Sequence, residues 1–237
     1  MISDAILITG AGQRIGEYLA QQFLAQHQPV VFTYRTERPA VDALKAQGAL
    51  GFQVDFTQSE QLTQFLQALP QEVSSLRAVI HNASLWLPDS KIKTADMLAD
   101  LMAVHVAAPY QINQACEPLL RKSQTAVTDI IALSDAKVAK GHPDYAGYLA
   151  SKAGLESLTL SFAKAFAPNI KVNTIAPGLV IFNEGDSEAY KKARLAESAI
   201  PVEPGMDSIW QAVQFLMNSP SATGSTVSLG QLQHETF

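Results

Sequence analysis

The chain has 237 residues, with 17 lysines and arginines against 22 aspartates and glutamates, for a formal net charge of −5. At 47% hydrophobic and 16% charged it is not a disordered chain, and its length suits one α/β domain spanning 1–237. Cys116 is the only cysteine, which excludes an internal disulfide and a cysteine-built zinc cluster. The acidic balance argues against non-specific nucleic-acid binding. The opening MISDAILITG has no basic start, no long apolar stretch and no small-residue cleavage site. No uncharged apolar run approaches the ~20 residues that span a bilayer. A soluble cytoplasmic protein without membrane or metal is therefore expected.

Short apolar runs alternate with amphipathic stretches. Ala5–Thr9 reads as a buried strand ending at Gly10, and Glu17–Gln26 repeats apolar residues at helical spacing. Val30–Tyr34 is β-branched and aromatic, hence a strand. Val41–Gln47 is a short helix, Phe52–Phe56 a third strand, and Glu60–Leu69 a helix stopped by Pro70. Ala78–His81 is a fourth strand. Asp96–Arg121 reads as one long helix in which Pro109 marks a kink or an internal start. Asp129–Leu133 is a fifth strand, Tyr148–Phe166 a helix closed by Pro168, and Lys171–Ile175 a sixth strand. Pro177–Ser187 is a loop, and helices over Glu188–Glu197 and Asp207–Met217 precede a last strand, Thr226–Leu229. Apolar strands joined by helices imply a doubly wound, mostly parallel Rossmann-type α/β sheet in a single domain.

Thr9–Gly16 (TGAGQRIG) lies between the first strand and the first helix. Gly10, Gly12 and Gly16 permit a tight turn and let a pyrophosphate approach backbone N–H groups at a helix N-terminus. The alternative is a turn that merely needs glycine. An acid near the end of the second strand would bind the ribose 2′-hydroxyl of NAD. Here the chain reads Thr33-Tyr34-Arg35-Thr36, with no carboxylate until Glu37. Arg35 would pair instead with a 2′-phosphate, and with Arg14 it favours NADPH; the alternative is a solvated surface arginine.

Tyr148 and Lys152 stand at i and i+4 of one helix face. A lysine beside a phenol lowers the tyrosine pKa toward the operating range of a proton donor. Tyr145 lies nearby without a lysine one turn on.

In these residues the chain resembles the short-chain dehydrogenase/reductase family over about Ile6–Leu229. The resemblance rests on the glycine loop, Asp55, Asn82-Ala83, Tyr148 with Lys152, and Pro177-Gly178. It implies that Gly10, Gln13, Arg14 and Ile15 hold the cofactor phosphates, and Tyr34, Arg35 and Thr36 its 2′-phosphate end. Asp55 would contact adenine. Asn82, Ala83 and Ser84 would line the cofactor, Lys152 its ribose, and Pro177 and Gly178 its nicotinamide.

Four departures narrow the resemblance. Arg14 stands in the glycine loop, Ser84 follows Asn82-Ala83, and Asp135 occupies the usual catalytic serine position with Ser134 just before it. His105 replaces the usual helix asparagine. The first three, with Trp86, are similar to the pteridine reductase branch; the run Ile80–Trp86, His105-Val106 followed by Pro109-Tyr110, and Ala176-Pro177 through Phe182-Asn183-Glu184 resemble, within it, the bacterial enzymes acting on dihydromonapterin, in which a histidine at the His105 position is expected. The Val227-Ser228-Leu229-Gly230 segment departs from the family's glycine-rich strand ending.

The resemblance implies NADPH-dependent reduction of a dihydropterin, 7,8-dihydromonapterin to the tetrahydro form, with dihydrofolate as a weaker substrate. Trp86 would stack on the pterin, with Arg14, Ser84, Asp135, Tyr148 and Leu179 around it and a loop of about 178–200 covering it. Tyr148, Lys152 and Asp135 would be catalytic. The proton could come from Tyr148, from water or through Asp135. Other readings stand beside these: Trp86 in a core or interface, Asp135 as a cap with Ser134 catalytic, and His105 as an ordinary buried histidine. A carbonyl reductase and a non-catalytic NADPH sensor are the competing functions. The family implies a homo-oligomer, a tetramer rather than a dimer, through the two long central helices.

Overall fold

A computed structural model describes residues 1–196 and 198–230. Within them, strands β1 (Ala5–Ile8), β2 (Val30–Tyr34), β3 (Leu50–Gln53), β4 (Leu76–His81), β5 (Thr128–Leu133), β6 (Ile170–Pro177) and β7 (Thr226–Leu229) form one sheet in the order β3-β2-β1-β4-β5-β6-β7. Every pairing is parallel. The strand order reverses between β1 and β4, so their carboxyl ends flank the crevice where such sheets take ligands.

Successive strand side chains point to opposite faces. Ala5 and Leu7 join Val79, Ile130 and Val172 in one apolar layer, while Ile6 and Ile8 join Ala78, Ile80 and Ile131 in the other. Helices α3 (Ser59–Glu72), α5 (Ala108–Arg121) and α6 (Ala146–Phe166) cover the first layer. Helices α1 (Arg14–Ala25), α2 (Pro39–Ala46) and α8 (Asp207–Asn218) cover the second. Both faces are buried, which is why the strands read as continuous apolar runs.

Several expected boundaries move. α1 begins at Arg14, three residues before the expected start, with Arg14 itself in the left-handed region at φ +53°. β3 ends at Gln53; beyond it the chain turns, with Thr57 donating from N and Oγ1 to Asp55 Oδ1 at 2.9 Å. α3 runs through Pro70 to Glu72: a proline in the last turn forfeits one backbone bond, while Leu69 and the following Val73 stay buried. The long central helix is three pieces: α4 (Ala95–Met102), a π-helical turn Ala103–Ala107, and α5. Pro109 sits in the first turn of α5 and so marks an internal start. α6 gains a first turn because the Asp89 carboxylate accepts from Ala146 N at 2.7 Å and Gly147 N at 3.1 Å. α7 spans Glu188–Ala196, and the expected end at Glu197 lies outside the described residues. Among the described residues no helix is long and apolar enough to cross a membrane.

Two histidines are sealed in the interior. His81 bonds Asn113 Oδ1 at 2.7 Å, and burial pushes its pKa down to about 4. Burial, with the Lys152 charge behind it, pushes His105 down to about 2. An unfolded chain takes up protons on both below about pH 6.5, and the folded chain does not. Stability therefore falls with acidification. Moving from pH 7 to pH 5 is expected to cost on the order of 4 kcal/mol through the two histidines. Asp129, whose carboxyl burial shifts upward, offsets part of this. Urea midpoints at the two pH values check it; an unchanged midpoint would count against neutral burial of both rings.

Candidate active site

The glycine loop is fixed by β4. Asn82 Nδ2 donates to the carbonyls of Thr9 and Gly10, both at 2.9 Å, and Thr9 Oγ1 accepts from the Asn82 and Ala83 N–H groups at 3.0 Å. Gly10 has φ +70°. A Cβ there would lie 2.7 Å from Ala83 Cα, so the segments leaving β1 and β4 approach as closely as glycine allows. A Cβ on Gly16 would lie 2.4 Å from Asn82 Nδ2 and 2.6 Å from the Gly10 carbonyl. Gly16→Ala is accordingly expected to break the Asn82 brace and weaken NADPH binding about tenfold or more. A fluorescence titration checks this, and an unchanged Kd would refute it.

A cleft of about 330 Å³ opens along this loop. Gly10, Gln13, Arg14 and Ile15 line it from β1 and α1. Tyr34, Arg35, Thr36 and Asp55 line it from the end of β2 and the chain beyond β2 and β3, and Asn82, Ala83 and Ser84 from the chain beyond β4. Arg38, which the sequence reading passed over, lines it too. With Arg14 and Arg35 it makes three guanidinium groups at one cleft of an acidic protein. The cradle that a Cβ would fill and these cations together fit a phosphorylated dinucleotide.

Two of the expected contacts have other partners. The Tyr34 phenol donates to Glu37 Oε1 at 2.6 Å and accepts from Lys45 Nζ at 2.9 Å. The Asn82 amide is engaged by the loop itself. Each lines the cleft while holding its wall.

Past the end of β5, neighbouring residues go separate ways. Ser134 is buried and donates to Glu156 Oε1. Asp135 Oδ1 accepts from Lys137 N at 2.8 Å, capping a short 3₁₀ turn, Ala136–Ala139. Its other oxygen, Oδ2, accepts from the Tyr148 hydroxyl at 3.3 Å. Asp135 is thus a cap and a partner of the phenol at once. Tyr148 is buried, and Lys152 Nζ lies 5.8 Å from the centre of its ring and donates to the Leu133 carbonyl at 2.8 Å.

The expectation that Lys152 lowers the tyrosine pKa fails. Burial, the Asp135 charge and the Asp135 hydrogen bond raise it, and Ser84 only partly opposes them. Lys152 is itself brought down to about 8 by burial. Tyr148 therefore stays a protonated donor throughout the ordinary pH range.

Residues 4–190 match the short chain dehydrogenase family. The chain belongs to that family. Curated relatives include the dihydromonapterin reductase of Klebsiella pneumoniae, 43% identical over 94% of each chain. That of Escherichia coli K12 is 41% identical over 97% of this chain and 96% of its own. Among solved structures, FolM alternative dihydrofolate reductase 1 from Brucella canis, complexed with NADP, superposes with TM-score 0.84 at 23% identity, covering 99% of this chain and 95% of that one. An apo SCOR enzyme from Clostridium thermocellum has the same TM-score at 24% identity, covering 97% and 92%.

In this short-chain dehydrogenase Trp86 is neither core nor buried. It is 58% exposed and stacks on Tyr145, with ring centres 5.0 Å apart and planes tilted by 35°. Tyr145 also meets the His142 ring at 4.9 Å and Lys137 Nζ at 5.5 Å. Tyr145 carried no signal in sequence beyond its place before α6. Arg14 donates to Asn183 Oδ1 and, at 3.5 Å, to the Ile181 carbonyl, tying the glycine loop to the loop after β6. Pro177 ends β6, Gly178 N donates to the Leu229 carbonyl at 2.9 Å, and Leu179 is half-buried. Among the described residues no group of three or more His, Cys, Asp or Glu is placed to hold a metal ion.

Proposed function

We propose that this short-chain dehydrogenase reduces a dihydropterin with NADPH, turning 7,8-dihydromonapterin into its tetrahydro form and dihydrofolate more slowly. The observation that carries this reading is the Tyr148 hydroxyl on Asp135, with Ser134 turned away to Glu156. A serine hydroxyl beside the tyrosine suits polarising a ketone oxygen; a carboxylate beside a protonated phenol suits a substrate whose ring nitrogen needs a proton. The dihydromonapterin reductase relatives of Klebsiella and Escherichia support the substrate, and the NADP of the Brucella structure supports the cofactor.

NADPH, when bound, supplies the hydride, which goes to C6 of the pterin. Gly10, Arg14, Arg35, Arg38 and Asp55 would hold it along the cleft, and Lys152 would meet its ribose. Tyr148 would give the proton to N5, its phenol held protonated by burial and by Asp135. Trp86 would offer an exposed aromatic face to the flat pterin. The loop tied down by Arg14 would close over it, with Leu179 at its root. Exposed Tyr110 on α5 and Leu160 on α6 support a homo-oligomer joined through these helices.

The test is loss of NADPH absorbance with 7,8-dihydromonapterin, dihydrobiopterin and dihydrofolate in parallel, with NADH as control. Turnover of a dihydropterin with NADPH, slower with dihydrofolate, is expected. NADPH binding without turnover of any pterin would overturn the substrate assignment and leave the cofactor cleft standing.

A further inference from the structure

His105, 1% exposed in the π-helical turn, has partners on both ring nitrogens. Nδ1 lies 2.8 Å from Ser151 Oγ. Nε2 lies 2.9 Å from Ser84 Oγ and 3.2 Å from the Leu85 backbone N. The proton positions follow from these partners. Leu85 N–H can only donate, so Nε2 is the bare nitrogen. Ser151 Oγ donates to the Tyr148 carbonyl at 2.6 Å, so it accepts from Nδ1–H. The ring is a neutral Nδ1–H imidazole, the charge state its burial favours.

The run from Ser84 through His105 and Ser151 ends on a backbone carbonyl, which has no proton to pass on. It therefore joins two elements and does not conduct a proton between them. One end holds Ser84 and Leu85, where the segment bearing Trp86 begins. The other holds Ser151, one turn along α6 from Tyr148. Farther on, the same segment is tied to α6 again by Asp89 on Ala146 and Gly147. Trp86 lies between the two ties, stacked on Tyr145 at the head of α6.

We propose that His105 is a positioning residue that clamps the Trp86 segment against the helix of Tyr148, and so sets the spacing between the pterin platform and the proton donor. The kinetic part rests on the reductase reading above; the clamp does not.

Ser151→Ala removes the acceptor of Nδ1–H and leaves intact the groups proposed to touch cofactor or pterin. His105→Asn removes the clamp outright. Both are expected to raise KM for the dihydropterin and lower kcat, together about tenfold or more in kcat/KM, with NADPH Kd and the shape of the pH profile preserved. A pH profile that loses a limb would make His105 a proton relay and overturn the clamp; unchanged kcat and KM in both variants would overturn it as well. If His105→Asn does not fold, Ser151→Ala and ¹⁵N NMR of the wild-type histidines decide. The NMR should show a non-titrating imidazole protonated on Nδ1, absent or altered in Ser151→Ala. An Nε2–H tautomer refutes the proposal. If the wild type reduces no dihydropterin, the reductase reading fails separately. The clamp is then read from the fluorescence anisotropy of Trp86 in a Trp210→Phe background. Ser151→Ala should lower it, and an unchanged value overturns the clamp.

Discussion

Tyr148→Phe is expected to lower kcat for dihydropterin reduction by about 10²-fold or more, the usual range for removing a positioned general acid, while NADPH Kd stays unchanged. The substitution removes one hydroxyl from a buried ring, whose partners are Asp135 and Ser84 rather than the glycine loop or the arginines of the cleft. Cofactor affinity should therefore not respond. Because burial and Asp135 raise the phenol's pKa, Tyr148 itself gives no alkaline limb. The limb expected in wild-type kcat/KM lies near pH 8 and belongs to Lys152, whose charge is lost as pH rises through about 8. Steady-state kinetics across pH, with NADPH binding measured separately, check both statements. Wild-type turnover in Tyr148→Phe would remove the tyrosine from the chemistry and leave water or Asp135 as the proton source.

Asp129→Ala should give the largest loss of stability, about 3–5 kcal/mol, the usual result of stranding buried charges. Asp129 is fully buried near the amino end of β5. Arg77 of β4 pairs with its Oδ2, and Lys171 of β6 lies 3.2 Å from its Oδ1. The three strands bring these residues side by side, with Asp129 opposite Lys171 and Ala78. Lys171 Nζ also donates to the Leu216 carbonyl at 2.7 Å near the end of α8, where a cation is favoured. Without the carboxylate, two cations face each other in the interior. A fall in Tm of roughly 6–20 °C follows for a chain of this size. The cluster lies at the sheet end opposite the cleft, so NADPH affinity measured well below Tm should hold. A Tm near that of the wild type would mean that the cluster adds nothing to stability; lost affinity at low temperature would mean that it shapes the site.

The alternating strands and helices were legible because both faces of a parallel sheet are buried, which writes each strand as an apolar run. Val30–Tyr34 and Thr226–Leu229 fall where the sequence places them. The π-helical turn was not legible: its widened turn coincides with His105 bonding Ser84 and Ser151, 21 and 46 residues away in sequence. The extra turn of α6 was hidden for a similar reason, since its capping carboxylate, Asp89, comes from another part of the chain. Arg77, Asp129 and Lys171 read singly as polar strand ends, and only strand register makes them a cluster.

By itself the sequence determined the parallel sheet, the glycine loop between the first strand and the first helix, and the one-turn spacing of Tyr148 and Lys152. These follow from periodicity and from backbone freedom at single positions, both local properties. The tertiary structure decided which of Ser134 and Asp135 meets the phenol, because adjacent residues past a strand end turn to opposite sides and register chooses between them. It also decided that Trp86 stands exposed on Tyr145, that Arg14 grips Asn183, and that burial and Asp135 raise the tyrosine pKa. Each depends on groups brought together from distant parts of the chain, and burial and charge act through distance in space, which sequence spacing does not carry.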